Sequence, residues 1–356
     1  MKYVTHFLIA LCLGITVWSE AIGAEGPGVM PSYQPTRRVS GTIHSWGHGF
    51  LRPMMKLWEE GFQKYHPDVR FDDKLVSSAG AIAGLYSQRA DLGVLAREIT
   101  PPEIAAYEKI TGQPVTAVTV LTGSYGNQDK IMALGIFVNK ANPVDRLTFG
   151  QLDAIWGAEH KRGAAANIRQ WGQLGLSGEW AGQKIQPYSG LAFEAPAYFF
   201  SQTVMKGSVL WNEALRQCEN REDEIPSRGD EKGTPVITRH VDAYQQVVDA
   251  VAADRDGIGL AGAGYRNPNA KLVALAVEDA EPFVEASLEN VANRTYPLAR
   301  PVRFYLHNGP AVSADPRVLE FLRFILSREG QALVQREGDF LPLTANVARA
   351  ELAKLP

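Results

Sequence analysis

Short apolar runs alternate with segments of helical period along almost the whole chain, and this alternation limits the possible folds more than any other feature. The runs "VTAVTVLTG" and "ALGIFVN" are strand-like, whereas "LTFGQLDAIWG", "VDAYQQVVDAVAAD" and "DPRVLEFLRFILSREGQALVQREG" carry apolar residues at helical spacing. Adjacent parallel strands need a crossover connection, which a helix supplies, so such a pattern favours α/β units with mainly parallel sheets flanked by helices. With 356 residues, 45% of them hydrophobic, the chain is long enough for two units of this kind. The net charge of -3 lacks the basic excess that nucleic acid demands, so no nucleic-acid partner is expected.

The N-terminus reads as an export signal. Lys2 precedes the apolar run "FLIALCLGITVW", Phe7 to Trp18, and small residues follow in "SEAIGAEG". That run is too short to span a bilayer. Residues 1–24 are therefore expected to be a cleaved signal peptide, which sends the mature chain to the periplasm. Cys12 lies inside the apolar run and lacks the small residues before it that a lipid-attachment site needs. Cys218 is then the only thiol of the mature chain, and one thiol makes no internal disulfide. Residues 25–38, "EGPGVMPSYQPTRR", are rich in Pro and Gly without apolar period and read as a linker, and the charged segment 219–235 reads as a solvated surface loop. No internal repeat is present.

Two Gly-containing turns stand close together between residues 45 and 98. Ser45, Gly47 and Gly49 precede an apolar stripe of Phe50, Met54, Trp58 and Phe62, with Pro53 in a first-turn position. Ser77-Ser78-Ala79-Gly80 follows the strand-like "VRFDDKLV" and opens "AIAGLYSQ". A helix N-terminus presents unpaired N–H groups and the positive end of its dipole, so two converging ends would cradle an anion. The competing reading of a Gly-Ser turn before a helix is an ordinary cap.

With these turns in place, the chain resembles the periplasmic phosphate-binding proteins of ABC importers and the wider type II substrate-binding family. The resemblance rests on an ordered set: "GHGFLRPMMKLWEEGFQKYHPDV", the Ser78-x-Gly80 turn with "ADLGVLARE", "ALGIFVNKANPVDRLTFGQLDAIWG", "WGQLGLSGEWAGQKIQPY", "DGIGLAGAGYR", "YPLARPVRFYL" and "FLRFILSREGQALVQREGDFLPL". It implies a two-lobed, type II periplasmic-binding-protein-like fold whose lobes are joined by two crossover strands. Lobe 1 would comprise 39–130 and 265–356, and lobe 2 would comprise 131–264. The chain would cross near Asp129 to Ile131 and return near Gly262 to Tyr265. The implied function is capture of phosphate or a related small oxyanion in the inter-lobe cleft, for delivery to ABC permease subunits by a monomer that is not an enzyme and carries no cofactor. Carried over residue by residue, the first lobe offers Gly47, Gly49, the Phe50 backbone, Ser78, Gly80 and Arg97.

The second lobe departs from that family's pattern. Where phosphate binders carry an Arg and then Ser-Gly-Thr before a helix, this chain reads "PYSGLAFEAPAYFF", which puts Gly190 at the Arg position and Glu194-Ala195-Pro196 in place of the triplet. Proline removes a donor N–H, and a carboxylate repels a dianion. Ala96 stands where some phosphate binders have an acidic residue. Either the loop is shifted, so that Ser189 and Gly190 form the turn and Arg52, His48 or Arg97 brings the charge, or the guest is a different small polar solute. A ligand-free sensory or scaffold protein is a further alternative.

Other motifs carry less. Gly257-Ile258-Gly259-Leu260-Ala261-Gly262 matches G-x-G-x-x-G but follows a helical segment instead of opening a helix after a strand. His44 and His48 lack further ligands at zinc-like spacing, so no metal is expected. An exported phosphate-ester hydrolase would need a nucleophile with a base, or a metal site, and the sequence shows neither arrangement. N-terminal sequencing of exported protein is expected to begin between about residues 22 and 26, and an intact Met1 in a membrane pellet would refute the signal reading.

Overall fold

A computed structural model describes residues 29–226, 236–307 and 314–356. The expected signal peptide and the start of the expected linker lie outside the described residues, as does 227–235 of the charged segment. The chain first lays down β1 (Gly41–Gly47), β2 (Val69–Leu75), β3 (Leu92–Val94) and β4 (Thr116–Thr122). It then builds β5 (Leu134–Asn139), β6 (Arg146–Thr148), β7 (Gln186–Ser189), β8 (Arg216–Gln217), β9 (Arg221–Pro226), β10 (Val236–Val241), β11 (Gly257–Gly262), β12 (Ala270–Leu272) and β13 (Ala274–Ala276), and returns for β14 (Pro301–Leu306).

The first sheet has the order β2-β1-β3-β14-β4 and the second β12-β5-β11-β7-β8. In the first, β14 runs antiparallel to β3 and β4 while β1, β2 and β3 are parallel. In the second, β5 is antiparallel to β11 and β12 while β7, β8 and β11 are parallel. The fold is thus α/β, with two mainly parallel sheets flanked by helices, and each sheet holds one reversed strand. Each reversed strand is the first one its sheet receives after a crossing. A chain leaving one sheet at the C-terminal ends of its strands enters the other at the corresponding edge, so its first strand there runs against the residents. That places the strand ends of both sheets at the crossing, where open α/β sheets keep their binding crevices.

Each sheet has its own core. The first gathers Met54, Met55, Trp58 and Phe62 from the helix Arg52–Gln63 with Phe304, Phe321 and Phe324; the second gathers Trp156, Trp171, Phe200, Tyr244, Val247 and Ile258. The stripe read from the sequence is buried except at its first member: Phe50 precedes the helix, in the 3-10 turn Gly49–Leu51, and is 39% exposed.

Three expectations need correction. The chain does leave the first sheet through residues 123–133, but it does not return near Gly262 to Tyr265. Those residues end β11, and Val273, Leu275, Val291, Tyr296 and Leu298 still pack in the second core. The two crossing segments run side by side, with Gly123 N–H donating to Arg300 C=O at 2.9 Å and Leu134 N–H to Leu298 C=O at 3.1 Å. Nor is the described part of 25–38 a linker. Tyr33 is buried, its hydroxyl donates to Glu320 and meets His66 Nε2 at 2.7 Å, and Arg328 N–H donates to Pro31 C=O at 2.7 Å. These contacts, with Met30 and Tyr33 packed on the first core, tie the segment to the first unit. In the charged segment, Arg221–Pro226 forms β9 and pairs antiparallel with the β-branched run at the start of β10. The G-x-G-x-x-G match is β11, a central strand.

One acidic pair puts a pH dependence into the first unit. Glu59, on the helix Arg52–Gln63, meets Asp73 of β2, and burial, a hydrogen bond between the two carboxyls and their mutual repulsion push the Glu59 pKa up from 4.5 to about 8. Between those values the folded chain binds more protons than the unfolded chain. This contribution to stability is therefore complete below the unfolded pKa and is lost as pH rises through the folded one. Thermal unfolding followed at about pH 5 and about pH 8 should show a larger fall for the wild type than for Glu59→Gln, which cannot ionise. Equal falls would mean that Glu59 is not the source.

Candidate functional site

The crossing segments and both sheets meet around a cavity of about 190 Å³. Phe50 and Ala96 face it from the first unit, Glu194, Ala195, Pro196 and Tyr244 from the second, and Gln128, Ile131 and Arg300 from the crossings. A larger cavity of about 740 Å³, with Asn167, Gln170, Lys184 and Asp254 among its walls, takes all of its lining from the second unit.

Arg300 is the cation of the small cavity. It is 2% exposed, and its guanidinium lies over the Phe199 ring at 5.2 Å. Nε and Nη2 donate to Glu98 at 3.1–3.3 Å, and Nη1 has no hydrogen-bond partner among the described residues. Removing two charges from water offsets most of their attraction, so such a pair adds little net stability, but it fixes the guanidinium plane. One edge is held by protein and the rest can serve a guest.

Glu194 faces the same space from the second unit. It is the N-cap of the helix Ala195–Thr203, makes no side-chain capping bond, and is followed by Pro196 in the first turn. Its carboxylate accepts from the Tyr244 hydroxyl at 2.9 Å. Burial, then the Glu194 charge and that hydrogen bond, hold the Tyr244 pKa far above its ordinary value, so the phenol stays protonated and donating. Gly190 makes this arrangement possible: a Cβ there would lie 2.8 Å from the Tyr244 ring. The aromatic ring occupies the space that an arginine at position 190 would need.

The candidates read from the sequence divide clearly. Phe50 and Glu194 line the cavity. Ser78 lies one layer behind, its Oγ accepting from Ala96 N–H at 3.1 Å. Ser77, not Ser78, caps the turn Ser78–Gly80, and Gly80 is not part of the wall. Gly47 is required by packing, since a Cβ would meet Val94 C=O at 1.8 Å where β1 and β3 pair. Gly49 opens the 3-10 turn, and the Phe50 N–H at its head donates to His48 Nδ1 at 3.2 Å.

The expected charge carriers are engaged elsewhere. Arg97 forms a two-pronged bond to Glu103 at 2.7 and 2.9 Å, which raises its pKa, and Arg52 donates to Leu75 C=O at 2.7 Å. Ser189 is buried and donates to Gly190 C=O at 2.6 Å, so Ser189 and Gly190 do not form the shifted turn.

Sequence reasoning missed Arg300, Tyr244 and Gln128. Arg300 had a signal, a lone cation inside the apolar run "YPLARPV". Tyr244 had none, because it sits among the apolar positions of "AYQQVVDAV" and reads as core. Among the described residues, no group of three or more His, Cys, Asp or Glu side chains is placed to hold a metal, and no helix is long and apolar enough to cross a membrane.

Two α/β units joined by paired crossings, with an ion-sized cavity where they meet, define a periplasmic-type solute-binding protein. The comparisons agree: residues 32–329 match the PBP superfamily domain. The phosphate-binding protein PstS of Pseudomonas aeruginosa is 31% identical over 338 residues, covering 95% of this chain and 94% of that protein. The chain belongs to this family of phosphate-binding proteins within the PBP superfamily. Two solved structures share the fold. PstS from Borrelia burgdorferi has a TM-score of 0.55 at 15% identity, covering 86% of this chain and 100% of that one. An ABC-type phosphate transport receptor from Vibrio cholerae has a TM-score of 0.52 at 20% identity, covering 85% and 99%.

The fit of Tyr244 to Gly190 can be tested without any ligand. Gly190→Ala should lower stability by about 1–3 kcal/mol through overpacking. Tyr244→Ala added to it should relieve that clash, so the two effects in chemical denaturation should fall well short of additive. Additive effects would mean that the ring does not fill this space.

Proposed function

We propose that this chain is an exported binding protein that captures phosphate or a closely related small oxyanion in the cavity between its two units and presents it to ABC permease subunits. The observation that carries this reading is Arg300, a buried guanidinium that is held by Glu98 on one edge and lines an ion-sized cavity. The names of the relatives support the choice of anion, and the two units act as the lobes of a clamp. Phe50 and its turn, with Ser78 behind Ala96, form the first jaw; Glu194 and Tyr244 form the second.

Glu194 narrows the guest. Two like unit charges at about 4 Å repel by roughly 4 kcal/mol at an effective dielectric of 20. An oxyanion that carries a proton can donate it in a hydrogen bond to the carboxylate, whereas sulfate has none to give. Phosphate is therefore expected to bind and sulfate to compete poorly.

Titration calorimetry decides the matter. The pair Arg300→Gln with Glu98→Gln keeps the buried charge balanced while removing the cation, and should weaken phosphate binding by about 1.5–3 kcal/mol. Glu194→Ser removes both the repulsion and the acceptor for the phosphate proton, so it should admit sulfate and narrow the margin between the two anions. Unchanged affinity in the Arg300/Glu98 variant would place the anion elsewhere, with the Ser78 turn the next candidate, tested by Ser78→Ala.

A further inference from the structure

The loop between β7 and the helix Ala195–Thr203 has two sides. Glu194 and Ala195 line the anion cavity, while Phe193 and Ala195 line a second chamber of about 700 Å³, so Ala195 borders both. The far wall of that chamber includes Tyr198, Val209 and Trp211, and Arg97 and Thr100 close it from the first unit.

The chemistry of this wall is distinct from that of the anion cavity. Phe193 is 82% exposed and Val209 66%, so both present apolar surface that no part of the described chain covers. Trp211 is held flat by stacking on Phe200 at 5.9 Å with 21° between planes. The polar groups are already engaged: both arms of Arg97 with Glu103, the Thr100 hydroxyl with Glu103, and Gln217 Oε1 with Ala192 N–H at 2.7 Å. A chamber with a rigid aromatic platform and no uncommitted cation suits an uncharged, apolar group. Its volume is that of a small-molecule site, far beyond what a free oxyanion fills.

Resting on the anion reading above, we propose that the chamber holds the organic substituent of an oxyanion whose head lies against Arg300. The ligand class is a phosphonate or phosphate monoester bearing an aromatic or branched apolar group. Ala195, which lines both spaces, stands where head and substituent would join, and the exposed Phe193 flanks the latter.

Titration calorimetry with orthophosphate, methylphosphonate and phenylphosphonate tests this. Phenylphosphonate should bind the wild type about tenfold or more tighter than methylphosphonate, the margin expected for burying an aromatic ring. Phe193→Ala should remove most of that margin, and since Phe193 is mostly exposed the variant should fold normally. The margin is a ratio within one protein, so any effect on the anion cavity cancels. Equal binding of the two phosphonates, or a margin untouched by Phe193→Ala, overturns the substituent chamber and leaves the anion reading standing. Failure of all three anions to bind overturns both.

Discussion

Arg300 brings a full positive charge into the joint between the two units, and Glu98 keeps it there. The residue sits at the return crossing, its carbonyl accepts from Gly123 of the outward crossing, and its side chain packs on Phe199 of the second unit. One residue thereby touches both crossings, the carboxylate of the first unit and the aromatic surface of the second. The cavity exists because these parts meet, and its charge is set by the same group that joins them. A buried guanidinium without Glu98 would carry an uncompensated desolvation cost, so the position of the site and the integrity of the joint are linked.

The opposite wall follows from a second constraint. Gly190 leaves room for the Tyr244 ring, the Tyr244 hydroxyl fixes Glu194, and Glu194 stands at a helix N-terminus where a negative charge is favoured. A carboxylate that belongs to the chain thus occupies ground where a guest anion would otherwise be stabilised. The selectivity argued for this cavity arises from that substitution and not from any shortage of donors.

Much of the architecture was legible in the sequence. The strand and helix alternation read as α/β with mainly parallel sheets, the two-unit organisation came from chain length and the family resemblance, and the buried stripe Met54, Trp58, Phe62 was readable from its period. The departures have physical causes. Packing of Val273, Leu275 and Leu298 into the second core moved the return crossing far down the chain, and no local pattern distinguishes which of two cores an apolar residue joins. At the site, Phe50 and Glu194, which line the cavity, came from the family resemblance, since the period of the helix alone reads Phe50 as core. Arg300 and Tyr244 were not legible, because their roles arise from contacts with residues such as Glu98 and Gly190 that lie far away in sequence. Arg97 and Ser189 had suitable side chains, but Glu103 and the Gly190 carbonyl had already engaged them.

The order of strands in the first sheet has a consequence for how the chain matures. β14 lies in the interior of that sheet, between β3 and β4, yet its residues come after every strand of the second sheet. The second sheet is a contiguous stretch of chain and can close as soon as Leu272 is available. The first cannot, because until residue 306 arrives its middle is open and β3 and β4 have no common neighbour. The unit that begins first is therefore the last to be completed, and its half-built sheet presents unpaired edges while the second folds. Edges of that kind recruit other chains, so this is the stage at which a holding chaperone would matter most.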